Sequence, residues 1–319
     1  MNQAARGSLL GIEHLGAPEI LGLLKLARRM NPLRPRPLLR GKRVLLLFYE
    51  ASTRTRSSFE IAAKSLGAMT TLVLSSGSSI EKGESLLDTG YTLRAVGADV
   101  IVIRHPQAGA AALMARNLKI PVINAGDGMH EHPTQALLDA LTIRDRKGKL
   151  EGLNVTILGD ILHSRVARSD IQLFGKFGTR ITLCGPAMWV PRELESLGPN
   201  IQRELRIERS LEEADVVIVL RVQTERMHEP ALAAEEFILG YQLTVERLRL
   251  ARPGALVLHP GPMIRGLEID PVVADGAQSC VLEQVTNGLA VRMALLYHLV
   301  GGAPVDAPHP AKERSNAAD

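Results

Sequence analysis

Two arginines and three hydroxyl side chains stand together near the start of the chain. The segment consists of Ser52, Thr53, Arg54, Thr55 and Arg56. The apolar residues 44–48 before it predict a strand, and the apolar spacing from Phe59 to Leu66 after it predicts a helix. Hydroxyls, free backbone N–H groups and a guanidinium that converge at a helix N-terminus form an oxyanion site, and phosphate is the best candidate.

A simpler interpretation of this segment is a helix that is capped by a hydroxyl group and flanked by solvated arginines. The combination of both arginines with several hydroxyls at one strand-to-helix turn favours the anion site instead. The chain lacks a G-x-x-x-x-G-K-[ST] pattern, which excludes a Walker-type nucleotide loop.

Further polar side chains follow the predicted strands, at the points where the strands end. They are Arg104, His132, Gln135, Arg165, Arg221, Gln223 and the run His259, Pro260, Gly261 and Pro262. In doubly wound sheets ligands bind outside the carboxyl ends of the strands, so these residues are expected to share a cleft with residues 52–55. A single arginine at a strand end is more often an ordinary surface residue, so the prediction depends on the joint placement of the set.

The elements that must position these residues alternate between strand and helix. Strands are predicted at residues 44–48, 69–74, 99–104, 121–124, 154–158, 180–184, 215–220 and 255–258, and helical segments in the second half include 211–214 and 235–250. The strands are continuously apolar rather than alternating, which is typical of parallel sheets that are covered on both faces.

The pattern of strands and helices restarts after Lys147. The sequence therefore predicts an α/β protein with two doubly wound parallel-sheet domains, residues 1–147 and 148–302, and an active site between them. The last apolar helix, about residues 281–301, is expected to pack back on the first domain. Residues 303–319 are rich in proline, alanine and charge, and are expected to be disordered.

Composition narrows the class of protein. With 319 residues, 45% hydrophobic and 23% charged, the chain is expected to be soluble and globular. Aromatic residues make up only 3%, which argues against a base-stacking surface for nucleic acid. The net charge of +4 comes from dispersed basic residues, and an arginine-lined pocket for anionic metabolites explains it as well as a nucleic-acid patch would. No membrane span or signal peptide is recognisable, so a cytoplasmic protein is expected.

The two cysteines, Cys184 and Cys280, lie in apolar surroundings and show no metal-ligand spacing. Buried free thiols in a reducing compartment are therefore expected. The sequence implies neither a metal nor an organic cofactor.

Several motifs resemble those of the aspartate and ornithine carbamoyltransferases, and they occur in that family's order. Residues 48–60 are similar to its carbamoyl-phosphate motif, F-Y-E-x-S-T-R-T-R-x-S-F-E, and residues 132–139 to its H-P-x-Q-x-L-x-D segment. The resemblance implies that residues 52–55 bind the phosphate, that His132 and Gln135 contact the carbamoyl group and that Arg104 lies on its oxygen side. It also places Gly261 and Pro262 at carbamoyl phosphate. The expected catalytic residues are Arg54, Thr55, Arg104, His132 and Gln135.

Residues 78–84 resemble the mobile S-x-x-x-K-G-E loop of the aspartate enzymes in this family. In that family the loop reaches into the active site of a neighbouring subunit. The resemblance therefore implies that Ser78 and Lys82 serve a neighbouring site and that the protein is a homotrimer with shared active sites. Regulatory or dihydroorotase-type partner chains occur in the family and are left open.

The charge of the second pocket predicts the acceptor. Aspartate brings two carboxylates and needs several cations, whereas ornithine needs an acidic or thiolate partner for its extra amine. The predicted acceptor pocket contains Lys82, Arg165, Arg221 and Gln223, in segments similar to the G-D-x-x-x-S-R and R-x-Q patterns of the aspartate enzymes. Residues 259–262 read His-Pro-Gly-Pro where the ornithine enzymes carry His-Cys-Leu-Pro. L-Aspartate is the expected acceptor, and ornithine or an acylated ornithine is the alternative.

The expected reaction is direct attack of the deprotonated aspartate amine on the carbonyl of carbamoyl phosphate. It would give N-carbamoyl-L-aspartate for pyrimidine synthesis, with the released phosphate or a water taking the proton. Such a catalyst must neutralise the phosphate, polarise the carbonyl and hold the amine in place. His132 at a helix start is expected to donate a neutral imidazole N–H to the carbonyl oxygen; a capping or core histidine is the alternative.

Two other classes of function fit the sequence less well. Residues 154–160 suggest a dinucleotide-binding oxidoreductase, but they lack the G-x-G-x-x-G turn. A catalytically inactive binding subunit is disfavoured because the predicted set of ligands is complete.

Overall fold

The structure, a computed structural model, describes residues 7–75, 79–223 and 234–301 of the chain. The strands of the first half are β1 (Arg43–Phe48), β2 (Met69–Leu74), β3 (Val100–His105) and β4 (Val122–Asp127), and they form one parallel sheet in the order β2-β1-β3-β4. The strands of the second half are β5 (Asn154–Leu158), β6 (Arg180–Cys184), β7 (Ile201–Arg203), β8 (Val216–Val219) and β9 (Leu256–Leu258). They form a second parallel sheet in the order β7-β6-β5-β8-β9.

Helices connect the strands and cover the sheets. The α-helices are α1 (Ala17–Arg29), α2 (Thr53–Ser65), α3 (Leu86–Ala95), α4 (Ala110–Leu118), α5 (Pro133–Lys147), α6 (Arg165–Gly175), α7 (Ile207–Leu211), α8 (Ala234–Tyr241), α9 (Val245–Leu248), α10 (Pro271–Ala274) and α11 (Val281–Val300). Short 3₁₀ segments lie at Ser79–Lys82 and Arg192–Leu197. In the described part of the chain, no helix combines the length and apolar character needed to cross a membrane.

Local sequence accounts for several helix ends. The hydroxyls of Ser85 and Ser164 each accept a backbone hydrogen bond of 3.1 Å, from Asp88 and Ala167, and cap α3 and α6. Gly148 ends α5 in the left-handed conformation, with φ at +77°, which costs a glycine little.

The winding of each sheet reverses at one place, and these two places position the site. In the first sheet β2 lies on one side of β1 and β3 on the other. In the second sheet β6 and β8 flank β5 in the same way. Ligands of doubly wound sheets bind at such switch points, outside the carboxyl ends of the strands. The predicted fold class, two doubly wound parallel sheets, is confirmed.

One hydrophobic core joins the two sheets. It contains Leu46 of β1 and Ile157 of β5, together with inward-facing residues of α5, α6 and α11. Helix α5 packs against α6, and the C-terminal helix α11 packs on α1, α2 and α5. Both cysteines are buried free thiols, as predicted. The junction at residue 147 stays a prediction, and the expected disordered tail, residues 303–319, lies outside the described residues.

Two predicted helical segments are wrong. Residues 235–250 do not form one helix, because the backbone N–H of Leu243 leaves the helical pattern and donates to Glu268 O at 3.1 Å. Thr244 then caps α9, and its hydroxyl accepts from Arg247 N at 3.3 Å. Leu243 is fully buried, so the apolar spacing continues across a break in the backbone. Residues 211–214 also fail, because α7 ends at Leu211.

Coverage of the first sheet also differs from prediction. β1 and β3 are buried along nearly their whole length, but β2 is an edge strand on which Met69 is 53% and Leu72 is 39% exposed. The apolar character of the predicted strands therefore did not show that β2 is covered on both faces. Such an exposed apolar edge is a surface available to another chain.

Candidate active site

A cleft of about 1380 Å³ opens at the carboxyl ends of the central strands of both sheets. Of the predicted site residues, it is lined by Ser52, Thr53, Arg54, Thr55, Arg104, His132, Gln135, Arg165, Arg221, Gln223, Gly261 and Pro262. The structure thus brings together residues that stand more than 200 positions apart in the sequence. Lys82 does not line this cleft, and Ser78 lies outside the described residues.

The predicted anion turn lies where β1 meets α2. Ser52 is the N-cap residue of α2 and is extended (φ −162°), but its side chain makes no capping hydrogen bond in the described structure. The Ser58 hydroxyl turns back along the helix and donates to Arg54 O at 2.7 Å. The N-terminal N–H groups of α2 therefore face the cleft without a hydroxyl cap from Ser52. This arrangement favours an anion site over a helix that is capped by a hydroxyl group.

Arg54 crosses the cleft and contacts the loop after β9. Its Nη1 donates to Pro260 O at 3.3 Å. Gly261 has a φ of +66°, and a Cβ built on it would lie 1.6 Å from Arg54 Nη2. The backbone conformation favours glycine here, and a side chain at this position would displace the Arg54 guanidinium from the loop.

Glu50 forms the polar centre of the cleft, and sequence reasoning did not assign it. Its Oε2 accepts a hydrogen bond from Arg165 Nη2 at 2.6 Å and lies 3.3 Å from Arg104 Nε. Gly126 (φ +116°) makes room for both guanidinium groups, since a Cβ there would approach Arg165 Nη1 to 3.1 Å and Arg104 Nη1 to 3.3 Å. The signal in the sequence was an acidic residue beside a cationic motif.

His132 is held at the start of α5 by its backbone. Its N–H donates to Ser169 Oγ at 2.8 Å, and Ser169 Oγ donates to Glu131 Oε2 at 2.8 Å. The same Glu131 oxygen accepts from Ile12 N at 2.8 Å. His132 is 5% exposed and lines the cleft.

The loop after β9 is organised around a buried neutral histidine. His259 Nδ1 accepts from Gly261 N at 2.8 Å, so Nε2 carries the proton and donates to Glu268 Oε1 at 3.1 Å. Burial lowers the pKa of His259, which keeps the imidazole neutral. His259 therefore shapes the loop that presents Gly261 and Pro262 to the cleft.

The second sheet supplies a cationic wall. Arg221 Nη2 contacts Gln223 Oε1 at 3.4 Å, and Gln223 N donates to Asp160 Oδ2 at 3.3 Å. Arg168, one turn after Arg165 on α6, also lines the cleft and was missed by sequence reasoning. Its signal was the R-x-x-R spacing, which places both guanidinium groups on one face of α6.

Lys82 ends the 3₁₀ segment Ser79–Lys82 and is exposed. Among the described residues, no group of three or more His, Cys, Asp or Glu side chains is arranged to hold a metal ion.

Comparisons with known proteins agree with this arrangement. Residues 8–145 match the model of the aspartate/ornithine carbamoyltransferase carbamoyl-P binding domain, and residues 151–299 match that of the Asp/Orn binding domain. The aspartate carbamoyltransferase catalytic subunit of Koribacter versatilis is 56% identical to the chain over 293 residues, which is 92% of this chain and 97% of the relative.

Solved structures are similar over the same span. The crystal structure of aspartate transcarbamoylase from Trypanosoma cruzi in complex with carbamoyl aspartate and phosphate has a TM-score of 0.84 and 32% identity, covering 92% of this chain and 96% of its own. The ornithine carbamoyltransferase from Pyrococcus furiosus also has a TM-score of 0.84, with 27% identity, covering 95% of this chain and 100% of its own. With both domain models matched and a relative above half identity, the chain belongs to the aspartate/ornithine carbamoyltransferase family.

Proposed function

We propose that the chain transfers the carbamoyl group of carbamoyl phosphate to the amine of L-aspartate. The products are N-carbamoyl-L-aspartate and phosphate, and the reaction is an early step of pyrimidine synthesis. The observation that carries this proposal is a single cleft with the N-terminus of α2 on one wall and the cationic side chains of the second sheet on the other. The names of the relatives, which are aspartate carbamoyltransferase catalytic subunits, support it.

Carbamoyl phosphate binds with its phosphate at the N-terminus of α2. The free N–H groups of the first turn, the guanidinium of Arg54 and the hydroxyls neutralise and orient the dianion. The phosphate ligands are Ser52, Thr53, Arg54 and Thr55. Because Arg54 also contacts the loop after β9, phosphate binding is coupled to the position of Gly261.

The carbamoyl carbonyl lies between the first sheet and the start of α5. His132 and Arg104 direct N–H donors at its oxygen, which gains negative charge as the amine attacks. Gln135 contacts the carbamoyl amide, and the backbone of Gly261 and Pro262 closes the same side. No covalent enzyme intermediate is required, since phosphate is a good leaving group.

L-Aspartate occupies the cationic wall. Its two carboxylates pair with Arg165 and Arg221, with Gln223 as a neutral partner and Lys82 completing the charge. The aspartate amine must lose its proton before it attacks, and the departing phosphate accepts the proton released in the reaction. Closure of the two domains excludes water and strengthens these charge contacts.

Lys82 and Ser78 serve the site of a neighbouring subunit in a homotrimer. Two features of the chain support this assembly: Lys82 is exposed away from its own cleft, and the edge strand β2 carries exposed apolar residues. The buried free thiols suit the reducing cytoplasm. Regulatory or dihydroorotase-type chains are further candidate partners of this assembly.

The deciding experiment is carbamoyl transfer from carbamoyl phosphate with L-aspartate and L-ornithine run side by side. Carbamoylaspartate without citrulline is the expected result. Formation of citrulline instead would retain the phosphate site and overturn the acceptor pocket. If neither product forms, the proposed activity of the isolated chain is overturned.

A further inference from the structure

A buried carboxyl group outside the proposed ligand set connects two walls of the cleft. Asp139 lies on α5, one turn after Gln135, and is fully buried. Its Oδ1 accepts hydrogen bonds from Gln135 Nε2 at 3.0 Å and from Gln284 Nε2 at 2.5 Å. Gln284 belongs to α11, at the other end of the chain, so one oxygen atom holds two distant amides.

This contact fixes which way each amide points. A carboxyl oxygen without a proton can only accept a hydrogen bond, so both glutamines must turn their NH₂ groups toward Asp139. The orientation of Gln284 is determined twice, because its Oε1 accepts from His259 N at 2.9 Å. For Gln135 the consequence is that Oε1, an acceptor, remains for a ligand in the cleft that this residue lines.

The same oxygen supports the loop after β9. Gln284 holds the backbone of His259, and His259 Nδ1 in turn accepts from Gly261 N at 2.8 Å. The loop that faces Arg54 and the side chain of Gln135 are therefore joined through Asp139.

We infer that Asp139 is a positioning residue, which orients Gln135 so that its Oε1 accepts a hydrogen bond from the NH₂ group of the carbamoyl donor. This inference rests on the proposed function of Gln135. It assigns to Asp139 a role in selecting an acyl phosphate with an N–H donor over one without. The appropriate probe is acetyl phosphate, in which a methyl group replaces the NH₂ group and the carbonyl and phosphate are retained.

The neighbouring carboxyl group provides a matched control. Asp170 on α6 is also fully buried and is close enough to Asp139 for their charges to interact. Neither of its oxygen atoms has a hydrogen-bond partner in the described part of the chain. Substitutions at Asp170 thus remove a buried carboxyl group from the same region without releasing either glutamine.

The experiment measures the KM of carbamoyl phosphate and the inhibition constant of acetyl phosphate in the full-length enzyme. Asp139→Leu is expected to weaken carbamoyl phosphate about tenfold relative to acetyl phosphate, the effect of one lost hydrogen bond to a buried group. Release of the loop after β9 through Gln284 would weaken both ligands alike and leave this ratio unchanged. Asp139→Asn keeps an acceptor oxygen and is expected to restore the selectivity. Asp170→Leu is expected to leave the ratio of the two constants unchanged.

A parallel weakening of both ligands in Asp139→Leu would overturn the inference, as would an unchanged ratio. Should the leucine variant not fold, Asp139→Ser, which is too short to reach both amides, is measured in its place with the same expected change of ratio. Gln135→Met tests the proposed role of Gln135 separately from the positioning role of Asp139. If it leaves the selectivity intact, the proposed role of Gln135 fails; if it lowers the selectivity and the Asp139 variants do not, only the positioning role fails.

Discussion

Glu50 and Arg165 form an ion pair that spans the cleft, with Glu50 Oε2 at 2.6 Å from Arg165 Nη2. Glu50 follows β1 of the first sheet, and Arg165 is the first residue of α6, after β5 of the second. The Arg165 side chain is only 4% exposed, so its positive charge depends on this carboxylate for compensation. The contact thus couples the position of an expected aspartate ligand to the domain that is proposed to bind the carbamoyl donor.

Glu50→Gln is expected to raise the KM for aspartate and to lower kcat. A charge-assisted hydrogen bond contributes about 1.5–3 kcal/mol, so we expect kcat/KM for aspartate to fall about 10- to 100-fold. Glu60→Gln is the control, because Glu60 pairs with the exposed Lys64 at 2.6 Å on the surface of α2, where such a pair contributes little. Equal kinetics in the two variants would show that the Glu50 pair does not organise the site.

Gly261→Ala is expected to weaken the binding of carbamoyl phosphate, because the added Cβ would displace the Arg54 guanidinium from its place beside the loop. Gly266→Ala provides the matched control: Gly266 has a similar φ of +85°, but a Cβ there has no heavy atom within 4 Å. Both variants carry a backbone strain of about 1 kcal/mol. The binding of carbamoyl phosphate, measured by calorimetry, should therefore be weaker in the Gly261 variant than in the Gly266 variant. Similar binding in both variants would show that the position of Arg54 in the phosphate site does not depend on Gly261.

The sequence was sufficient to predict those site residues that lie at the carboxyl ends of strands. Arg104, Arg165 and Arg221 all follow strongly apolar runs, and the switch-point rule brings such ends together. The same reasoning could not identify Glu50 or Gln284. Their contacts join residues that stand 115 and 145 positions apart, to Arg165 and Asp139 respectively, and no local pattern marks such pairs.

Element boundaries failed where a burial pattern continued through a change of backbone. Leu243 is fully buried, as the apolar face of a continuous helix would be, but its backbone N–H donates to the backbone oxygen of Glu268. The three-residue strand Ile201–Arg203 was missed because it is too short for a period to be visible.

Mixing two inactive variants is expected to recover activity if the active sites are shared. Arg54→Ala and Lys82→Ala, each alone, should lower turnover by orders of magnitude. Random reassembly of a 1:1 mixture would give about one quarter of the sites both an intact Arg54 and an intact Lys82 from its neighbour. The control mixes Arg54→Ala with Thr55→Ala, which act in the same chain and should not complement. Absence of recovery in the first mixture would contradict a role for Lys82 in a neighbouring site.

The stability of the fold is expected to depend on pH through Asp139. Burial raises the pKa of its carboxyl to about 7, against an ordinary value of 3.8. The charged groups that face it are Asp170 on α6, whose pKa burial also raises, and Arg292 on α11, whose pKa burial lowers to about 10. The folded state therefore holds a proton that the unfolded chain releases, and this contribution to stability is lost as pH rises from about 4 to about 7.

Asp139→Asn removes this titration and retains the acceptor oxygen. Relative to the unsubstituted protein, the variant should gain stability with pH across that window, by at most about 1.4 kcal/mol per pH unit, because only the unsubstituted carboxyl must lose a bound proton. The measurement is the urea unfolding free energy at pH 5 and pH 7.5 at one protein concentration, since an oligomer's stability depends on concentration. Asp170→Asn tests the neighbouring carboxyl in the same way. A stability difference between the Asp139 variant and the unsubstituted protein that is the same at both pH values would mean that Asp139 does not take up a proton on folding.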